Sequence, residues 1–570
     1  MLATPGAFAA HGAETEVTVG SEDTVFSQNK QNEPAIAVDP TRPHILAAGA
    51  NDNIDMEACN AGDDTTCPFT PNVGGSGIAF SFNGGDSWTQ PTYMGLTARH
   101  CLGAPGPDPD CQVRRGPIGT LPRYDEVNLV SDGDPALAFG PRPGPNGFSW
   151  SNGSRLYYAN LTSSVSADFG EPTFRGFEAI AVSRTDDVAA AATGDESAWF
   201  QPVIVSKQSS ATFADKEQIW ADNAESSRFF GNVYVCYAAF RGSGAAPLVV
   251  STSRDGGNTW RTDQVSPAHN VAPKLFGQSG CTIRTDSRGT AYVFYEEFQD
   301  PTKPSVGFPP AATHKLVQSF DGGRTWTKPR TIQRVTDPCF FVDPVIARCV
   351  MDGVAGARSD LAAAPSVDIA NGAPTGADGT DFIAVTWADG RDGLNNEDVM
   401  VSWSSDRGAT FSSPRRVSSA PDRGFYAAPA LSPDGTDLYV VYNAITTPFR
   451  RTTATLRSLV GVVKHADVVG GAPGAFIQLH RGASGDPRGS SQNNLQAEFL
   501  GDYVYAATTR TSAAAVWNEA RNAADCPAMD AFRQALQDGA AATPPAVQQA
   551  CPARFGNTDI FAWSGADPTP

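Results

Sequence analysis

Short apolar runs of β-strand length recur along the whole chain, with turn residues between them. In the recurring unit, an apolar strand and a turn precede a second strand that ends in an aromatic residue, as in DPALAFG followed by RLYYANL. Strands of this length separated by turn residues are typical of all-β folds. Seven such units begin near residues 33, 126, 215, 276, 359, 424 and 495.

The number and spacing of these units predict the architecture. Repeated units of this kind bury their apolar faces against one another, and the spacing here is wider than the ~40–50 residues of compact blades, which indicates long loops. The simplest arrangement is an all-β, seven-bladed β-propeller of four-stranded blades, formed by residues 15–570 as one domain. A six-bladed ring with an accessory β segment is the alternative.

A short motif of the form S-x-D-x-G-x-T-W occurs four times. It reads SFNGGDSW from Ser81, SRDGGNTW from Ser253, SFDGGRTW from Ser319 and SSDRGATF from Ser404. Asp or Asn accepts backbone hydrogen bonds in such a turn, and Gly supplies the left-handed conformation. These motifs match the Asp-box (BNR) repeat, and the chain resembles the β-propellers of the sialidase superfamily. The resemblance implies that the motifs are structural and lie away from the active-site face.

The two ends of the chain predict how the ring closes. The last unit lacks an outermost strand, and the isolated run Glu16–Gly20 fits that place, so we expect it to complete the last blade. Residues 1–14 are interpreted as the remnant of a secretory signal or as a disordered start. The Ala-rich segment 522–550 predicts a short helical insertion, and residues 92–125 a Pro- and Gly-rich insertion.

Charge and hydropathy exclude several partners. The chain of 570 residues has 42 Lys and Arg against 61 Asp and Glu, a net charge of −19. Proteins that bind duplex nucleic acid need a basic face that displaces counterions, so a nucleic-acid partner is excluded. No apolar run reaches the ~18 residues that indicate a membrane span. We expect a monomer.

The ten cysteines indicate five disulfides. Four pairs close short loops rich in Gly, Pro and Asp, where a zinc site would show C-x-x-C spacing, and the fifth pair joins two apolar strands. Disulfides form in oxidising compartments, so the count predicts a secreted, extracellular protein; the alternative is unpaired buried thiols. The predicted pairs are Cys59 with Cys67, Cys101 with Cys111, Cys236 with Cys281, Cys339 with Cys349, and Cys526 with Cys551.

The resemblance to sialidases can be followed residue by residue in blade one. That family has an aromatic-Arg-Ile-Pro motif whose arginine begins a three-arginine clamp for the sugar carboxylate. Here the matching stretch is QNEPAIAVDP, with Asn32 in place of the arginine, Glu33 next and Pro34 retained. The position of the family's later arginine falls near Asp52, so both cations are missing in this chain. The resemblance therefore implies glycoside hydrolysis at the central funnel, while specificity for sialic acid is not carried over.

Polar residues at the starts of the first strands are the candidate site, because the resemblance places these ends at the funnel. Asp215 and Glu217 are two residues apart and share one face of an extended strand, so they suit an acid and a base or nucleophile. A tyrosine near Glu217 would match the tyrosine–glutamate pair of sialidases. The alternative is that these residues cap strands and bond neighbouring blades. The catalytic candidates are Asp215, Glu217, Tyr426, Asp502 and Tyr503, and the substrate-binding candidates are Glu33, Asp134 and Asp360.

Three arginines follow the aromatic ends of second strands at a constant spacing. Arg241, Arg391 and Arg521 each lie four residues after the aromatic residue, which places them on blades three, five and seven. They are further substrate-binding candidates, since together they would rebuild an anion clamp. The alternative is an ion pair within each turn, Asp389 with Arg391 and Glu519 with Arg521.

Motifs for other chemistries are absent, which leaves two function classes. The sequence has no HExxH, GxSxG, P-loop or dinucleotide fingerprint, so no cofactor or catalytic metal is predicted. The oxygen-rich stretches from Asn51 and from Asp389 suit at most a structural Ca²⁺. One class is a sialidase-like glycoside hydrolase that acts on a glycan or glycoconjugate. The other is a non-catalytic secreted propeller that binds glycans or proteins.

Overall fold

Seven antiparallel sheets surround one axis in the computed structural model. It describes residues 12–569 apart from 60–66, 68, 104–110, 207–208, 243–244, 269–275, 304, 351–355 and 357. The first strand of each sheet contacts the first strands of both neighbours, and the contacts close into a ring. The protein is a seven-bladed β-propeller, as predicted, and the six-bladed alternative is wrong.

The strands of each blade run outwards from the axis in chain order, except in the last blade. Blade 1 has the strands Gln31–Val38, Leu46–Asp52 and Ser76–Ser81, and blade 2 has Ala136–Gly144, Gly147–Ser164, Ala179–Thr185 and Trp199–Ile204, with Leu129–Ser131 added. Blade 3 has Thr212–Ala221, Val233–Arg241, Leu248–Ser253 and Arg261–Gln264, blade 4 has Phe276–Thr285, Ala291–Gln299, Ala311–Ser319 and Arg330–Thr336, and blade 5 has Ser366–Ile369, Ile383–Asp389, Asp398–Ser404 and Arg415–Arg416. Blade 6 has Arg423–Leu431, Asp437–Ile445, Leu459–Val469 and Ile477–Arg481, with Ala472–Pro473 added, and blade 7 has Tyr505–Thr508, Ser512–Glu519, Asp559–Ala566 and Ala13–Glu16.

The apolar core lies between the faces of adjacent blades. For example, Ile219 and Val235 of blade 3 pack with Ile180 and Val182 of blade 2, and all four are buried. A sheet covered on both faces needs apolar residues on both faces, which explains the continuous apolar runs of the inner strands. Each buried side chain of this size stabilises the fold by about 1.5–3 kcal/mol.

The ring closes through the N-terminal segment, as predicted. Ala13–Glu16 pairs antiparallel with Asp559–Ala566, with Glu14 opposite Trp563. The strand therefore begins three residues before the predicted run, and only Glu16 belongs to both. Residues 1–11, most of the predicted signal remnant, lie outside the described residues.

Long insertions cover one face of the ring. Successive strands alternate in direction, so the loops from second to third strands and from one blade to the next emerge on the same face, which we call the funnel face. The predicted helical insertion contains Pro527–Gln537 and Val547–Ala550, and the 92–125 insertion forms the hairpin Tyr93–Thr97 with Arg114–Ile118. The remaining short elements are Val188–Ala192, Asp125–Val127, Glu196–Ala198, Phe341–Val342, Cys349–Val350 and Pro487–Gly489.

All five disulfides form with the predicted pairing. Four of them lie within loops of the funnel face, and Cys236–Cys281 joins the second strand of blade 3 to the first strand of blade 4. They are consistent with an extracellular protein. None of the helices in the described part of the chain has the length and apolar character needed to cross a membrane.

The four S-x-D turns follow the third strands of blades 1, 3, 4 and 5, on the face opposite the funnel, and in blades 3, 4 and 5 they lead into the fourth strand. In the turn of blade 3, Ser253 Oγ donates to Asp255 Oδ1 at 2.8 Å, and Asp255 Oδ1 accepts from Thr259 N at 2.9 Å. Gly257 has φ +86° and donates its N–H to Ser253 Oγ at 2.8 Å. These bonds stay within the turn, so the motif acts on local structure.

Candidate functional site

A left-handed residue stands at the funnel end of the first strand in five blades. Glu33, Asp134, Lys216, Gly280 and Tyr426 have φ between +54° and +61°. The strand pairing shifts register at four of these positions. A left-handed conformation costs a residue other than glycine about 1–3 kcal/mol, and such strain concentrates at functional sites. The bulges mark this end of the ring as the candidate site.

Lys216 is the centre of an ion-pair network that joins three blades. Its Nζ lies 3.0 Å from Asp134 Oδ2, 2.9 Å from Asp502 Oδ2 and 3.7 Å from Asp215 Oδ1. Arg358 extends the network, with Nη2 2.6 Å from Asp502 Oδ2 and Nε 3.2 Å from Asp360 Oδ2. The predicted candidates Asp134, Asp215, Asp360 and Asp502 are therefore brought together.

Glu33 and Asp134 are adjacent carboxyl groups with opposite protonation. Burial and the charge of Asp134 raise the pKa of Glu33 well above its usual value. Burial also acts to raise the pKa of Asp134, but Lys216 and a hydrogen bond from Glu33 outweigh it, and the pKa is lowered. Glu33 is therefore a neutral acid that donates a hydrogen bond to the ionised Asp134.

Asn51 holds these two residues in place. Its Nδ2 donates to Glu33 Oε2 at 2.6 Å, and its Oδ1 accepts from the backbone N–H of Asp134 at 2.7 Å. The backbone N–H of Glu33 donates to Asn518 Oδ1 at 2.8 Å. Because side-chain amides hold the backbone at both Glu33 and Asp134, the two carboxyl groups are pre-organised.

Two cavities lie at the site, and only one has room for a sugar. The outer one, which we call the mouth cavity, has a volume of ≈ 590 Å³. The inner one has ≈ 50 Å³, the space of one or two water molecules at ~30 Å³ each. The mouth cavity is lined by Glu33, Asn51, Asp132 and Asp134, and also by Lys30, Arg358, Asn493 and Phe499. The inner cavity is lined by Lys216, Glu217, Tyr426, Asp502 and Tyr503, among others.

The predicted acid pair Asp215 and Glu217 does not share a face as expected. The register shifts between Asp215 and Gln218, and Lys216 enters the ion-pair network instead. Burial raises the pKa of Asp215 to about 6 despite the charge of Lys216. Glu217 is buried, accepts no hydrogen bond from another described residue, and has a pKa well above its usual value because of burial.

The two predicted tyrosines line the inner cavity but are not activated. Tyr426 donates its hydroxyl to the carbonyl oxygen of Arg358. The hydroxyl of Tyr503 is buried without a hydrogen-bond partner among the described residues. Burial keeps both pKa values well above the usual one, so both side chains are neutral phenols.

The three predicted arginines lie outside the site. Arg241 donates to Gln264 Oε1 at 2.8 Å on the outermost strand of its blade. Arg391 pairs with Asp389 at 2.6 Å and Arg521 with Glu519 at 2.7 Å, which is the alternative that the sequence left open. The structure does not form the expected anion clamp from these residues, because their own turns neutralise two of them.

Several site residues escaped the sequence analysis. Lys216 stands between the two predicted acids, and Arg358 lies two residues before Asp360, so each had a local signal. Lys30 had none, and Asn51 was noticed only as the start of a stretch that could hold Ca²⁺. The stretches considered for Ca²⁺ bond to protein groups where they are described: Asp55 pairs with Arg99 at 2.7 Å, and Asp389 with Arg391. A structural Ca²⁺ stays a prediction.

Comparisons with known proteins found solved structures of low sequence identity. No protein-family model and no curated protein matches the chain. A Hadza microbial sialidase, Hz136, is 12% identical with a TM-score of 0.38, over 72% of this chain and 63% of that one. Trypanosoma rangeli sialidase is 11% identical with a TM-score of 0.37, over 81% and 60%. The α-L-arabinofuranosidase Arb93A from Fusarium graminearum is 11% identical with a TM-score of 0.38, over 75% and 92%. The chain thus spans less than two thirds of the length of both sialidases.

Proposed function

We propose that the protein is a glycoside hydrolase that acts on a glycan in the mouth cavity. The observation that supports this is the pair Glu33 and Asp134, two carboxyl groups in one cavity whose pKa values are shifted in opposite directions. Such a split assigns the acid and the carboxylate of a reaction at neutral pH. The proposal moves the chemistry from Asp215 and Glu217 to the neighbouring blades.

The reaction needs a proton for the leaving oxygen and a negative charge for the sugar. In the free protein the Glu33 proton lies in the hydrogen bond to Asp134; when a glycan binds, Glu33 gives this proton to the glycosidic oxygen instead, as the bond to the anomeric carbon breaks. The Asp134 carboxylate stabilises the positive charge that develops on the sugar. Water then adds to the anomeric carbon, and its proton returns to Glu33. Lys216 keeps Asp134 ionised throughout.

Specificity for sialic acid has no support from blade one. Asn32, at the position of the motif arginine, is buried and accepts a hydrogen bond from Asn51 Nδ2 at 2.8 Å. Asp52 is also buried and accepts from Ser21 Oγ at 2.6 Å. Neither residue offers a cation to a sugar carboxylate, so we restrict this proposal to a glycosidase of open sugar specificity.

The test is hydrolysis of a panel of fluorogenic glycosides, neutral, uronic and sialic, by the wild type and by Glu33→Gln and Asp134→Asn. We expect one glycoside to be cleaved, and each substitution to lower kcat by about 10²–10⁴-fold. Glu171→Gln, an exposed acid on the surface, is the matched control and should leave the rate unchanged. Full activity in both site variants would show that the pair is not catalytic.

A non-catalytic glycan-binding propeller is the second candidate. The observation that favours it is the ion-pair network, since Lys216 and Arg358 already neutralise Asp134 and Asp502 as a purely structural network would. In that case the wild type binds an oligosaccharide without cleaving it. Glu33→Gln with Asp134→Asn would then keep its affinity, whereas a hydrolase would show turnover only in the wild type.

A further inference from the structure

Lys30 is a buried cation at the mouth cavity without a counter-charge. Its Nζ donates to Asn493 Oδ1 at 2.8 Å and lies 5.3 Å from the ring centre of Phe499. Only 4% of the residue is exposed, and no carboxylate of the described chain lies within ion-pair distance of it. A buried charge without a partner costs several kcal/mol, and burial accordingly lowers the pKa of Lys30 to about 7.

The groups around Lys30 do not supply the missing charge. Glu33, the carboxyl group that acts on it most, is held neutral. Arg358 stacks on the same ring as Lys30, with its guanidinium carbon 4.5 Å from the ring centre of Phe499. The positive charge of Arg358 further lowers the pKa of Lys30. Arg358 itself is neutralised by Asp502 and Asp360. Of the two cations among the described residues that line the mouth cavity, Lys30 is thus the one that remains free to pair with a ligand.

A second unused donor lies beside Lys30. Asn493 accepts through Oδ1 from Lys30 and, at 3.1 Å, from Asn53, but its Nδ2 is buried without a partner in the described chain. Lys30, Asn493 and Arg358 all line the mouth cavity, and so do the carboxyl groups Glu33 and Asp134. The cavity therefore combines hydrogen-bond donors with carboxyl groups.

We infer that the ligand of the mouth cavity carries a singly charged oxyanion, a carboxylate or a sulfate ester, that binds Lys30 and Asn493. The inference rests on the proposed function in one respect: it places an anionic sugar in the cavity that also holds Glu33 and Asp134. The anion site lies at Lys30, not at Asn32. A neutral sugar in the same cavity leaves Lys30 unpaired.

Free sugars test this site without any need for hydrolysis. We would titrate the wild type by NMR with glucuronic acid, galactose 6-sulfate, N-acetylneuraminic acid and, as the uncharged reference, glucose. We expect at least one anionic sugar to bind about tenfold or more tightly than glucose. The anionic sugars of the titration separate a carboxylate site from a sulfate site. None of the four sugars has a glycosidic bond to cleave, so a failure here is distinct from a failure of the hydrolase proposal. Equal affinity for all four sugars would overturn the inference.

Substitutions locate the effect. Lys30→Met should abolish the preference for the anionic sugar, while Lys328→Met, which changes an exposed lysine, should preserve it. Asn493→Asp gives Lys30 an internal carboxylate partner and should also abolish the preference, even if Lys30→Met does not fold. A preference retained in Lys30→Met or in Asn493→Asp would overturn the inference.

Discussion

Lys216 determines the electrostatics of the candidate site at the residue scale. One ammonium group contacts two carboxylates within 3.0 Å, and a left-handed backbone conformation directs it into the network. Without it, Asp134 and Asp502 would face each other in a buried site with only Arg358 to compensate. The ionised state of Asp134, on which the proposed reaction depends, is therefore a property of Lys216.

Lys216→Met should shift the acid side of the pH–activity profile. The pKa of Asp134 is lowered in the wild type, so activity falls only as the pH drops through that lowered value. Removal of the ammonium raises this pKa, and we expect the acid limb to move up by about one pH unit or more. Lys303→Met, which removes a surface pair with Asp300, is the control. The measurement is kcat/KM against pH, with urea unfolding to confirm that the variant is folded; an unshifted limb would contradict the assigned role.

At the scale of elements, the sequence predicts the inner strands but not the bulges within them. The inner strands were predictable because both faces are buried and the apolar runs are continuous. The bulge at Lys216 was not, because one extra residue reverses which side chains of a strand face the axis, and the hydrophobic pattern does not mark it. The prediction therefore located the correct strand ends but paired Asp215 with Glu217. Arg358 comes from a loop, whose course no periodic pattern encodes.

Gly501 lies against the bulge at Glu33, where there is no room for a side chain. It has φ +87°, and a Cβ there would lie 2.5 Å from Glu33 Cγ and 2.8 Å from Glu33 N. Gly501→Ala should displace the acid without changing its chemistry and lower kcat by about 10²-fold.

The control for Gly501→Ala is Gly539→Ala. Gly539 has a similar φ of +74° but nothing within 4 Å of its Cβ position, so it reproduces the backbone strain without the contact. Steady-state kinetics of both variants decide the case. Equal rates in the two variants would mean that the contact with Glu33 does not position the acid.

At the scale of the whole molecule, the candidate site exists only because the ring is closed. Glu33, Asp134, Lys216, Arg358 and Asp502 come from segments far apart in sequence and meet at the axis. The sequence predicted that acids at first-strand starts would face one funnel, since all blades share one orientation. It did not predict which acids converge, because the distances across the axis depend on blade order and loop course.

The closing strand is itself held by charge. Arg521 and His480 both bond to Glu14, and although burial acts to raise the pKa of Glu14, these partners lower it from 4.5 to about 2. A lowered folded-state pKa means that this stability is present above pH ~5 and is lost as the pH falls towards 2. Glu14→Gln should remove about 1 kcal/mol at neutral pH, allowing for solvent screening, and flatten the pH dependence over that window.

Urea unfolding of wild type and Glu14→Gln from pH 7 to pH 2.5 checks this. Glu171→Gln, at an exposed site outside the closing strand, should follow the wild type. Parallel curves for wild type and Glu14→Gln would show that the pairs with Arg521 and His480 add no net stability to the closure.

The left-handed residues at the heads of five first strands also have a meaning for how this molecule can change. Four of them, all but Gly280, contribute a side chain to the funnel, while the apolar sheets behind them stay the same. An exchange at Glu33, Asp134, Lys216 or Tyr426 therefore alters one sector of the funnel without changing the apolar residues of the sheets. Because these side chains are buried and bonded to neighbouring blades, each exchange also costs stability, so a new ligand preference is accessible only together with a compensating change in its partner.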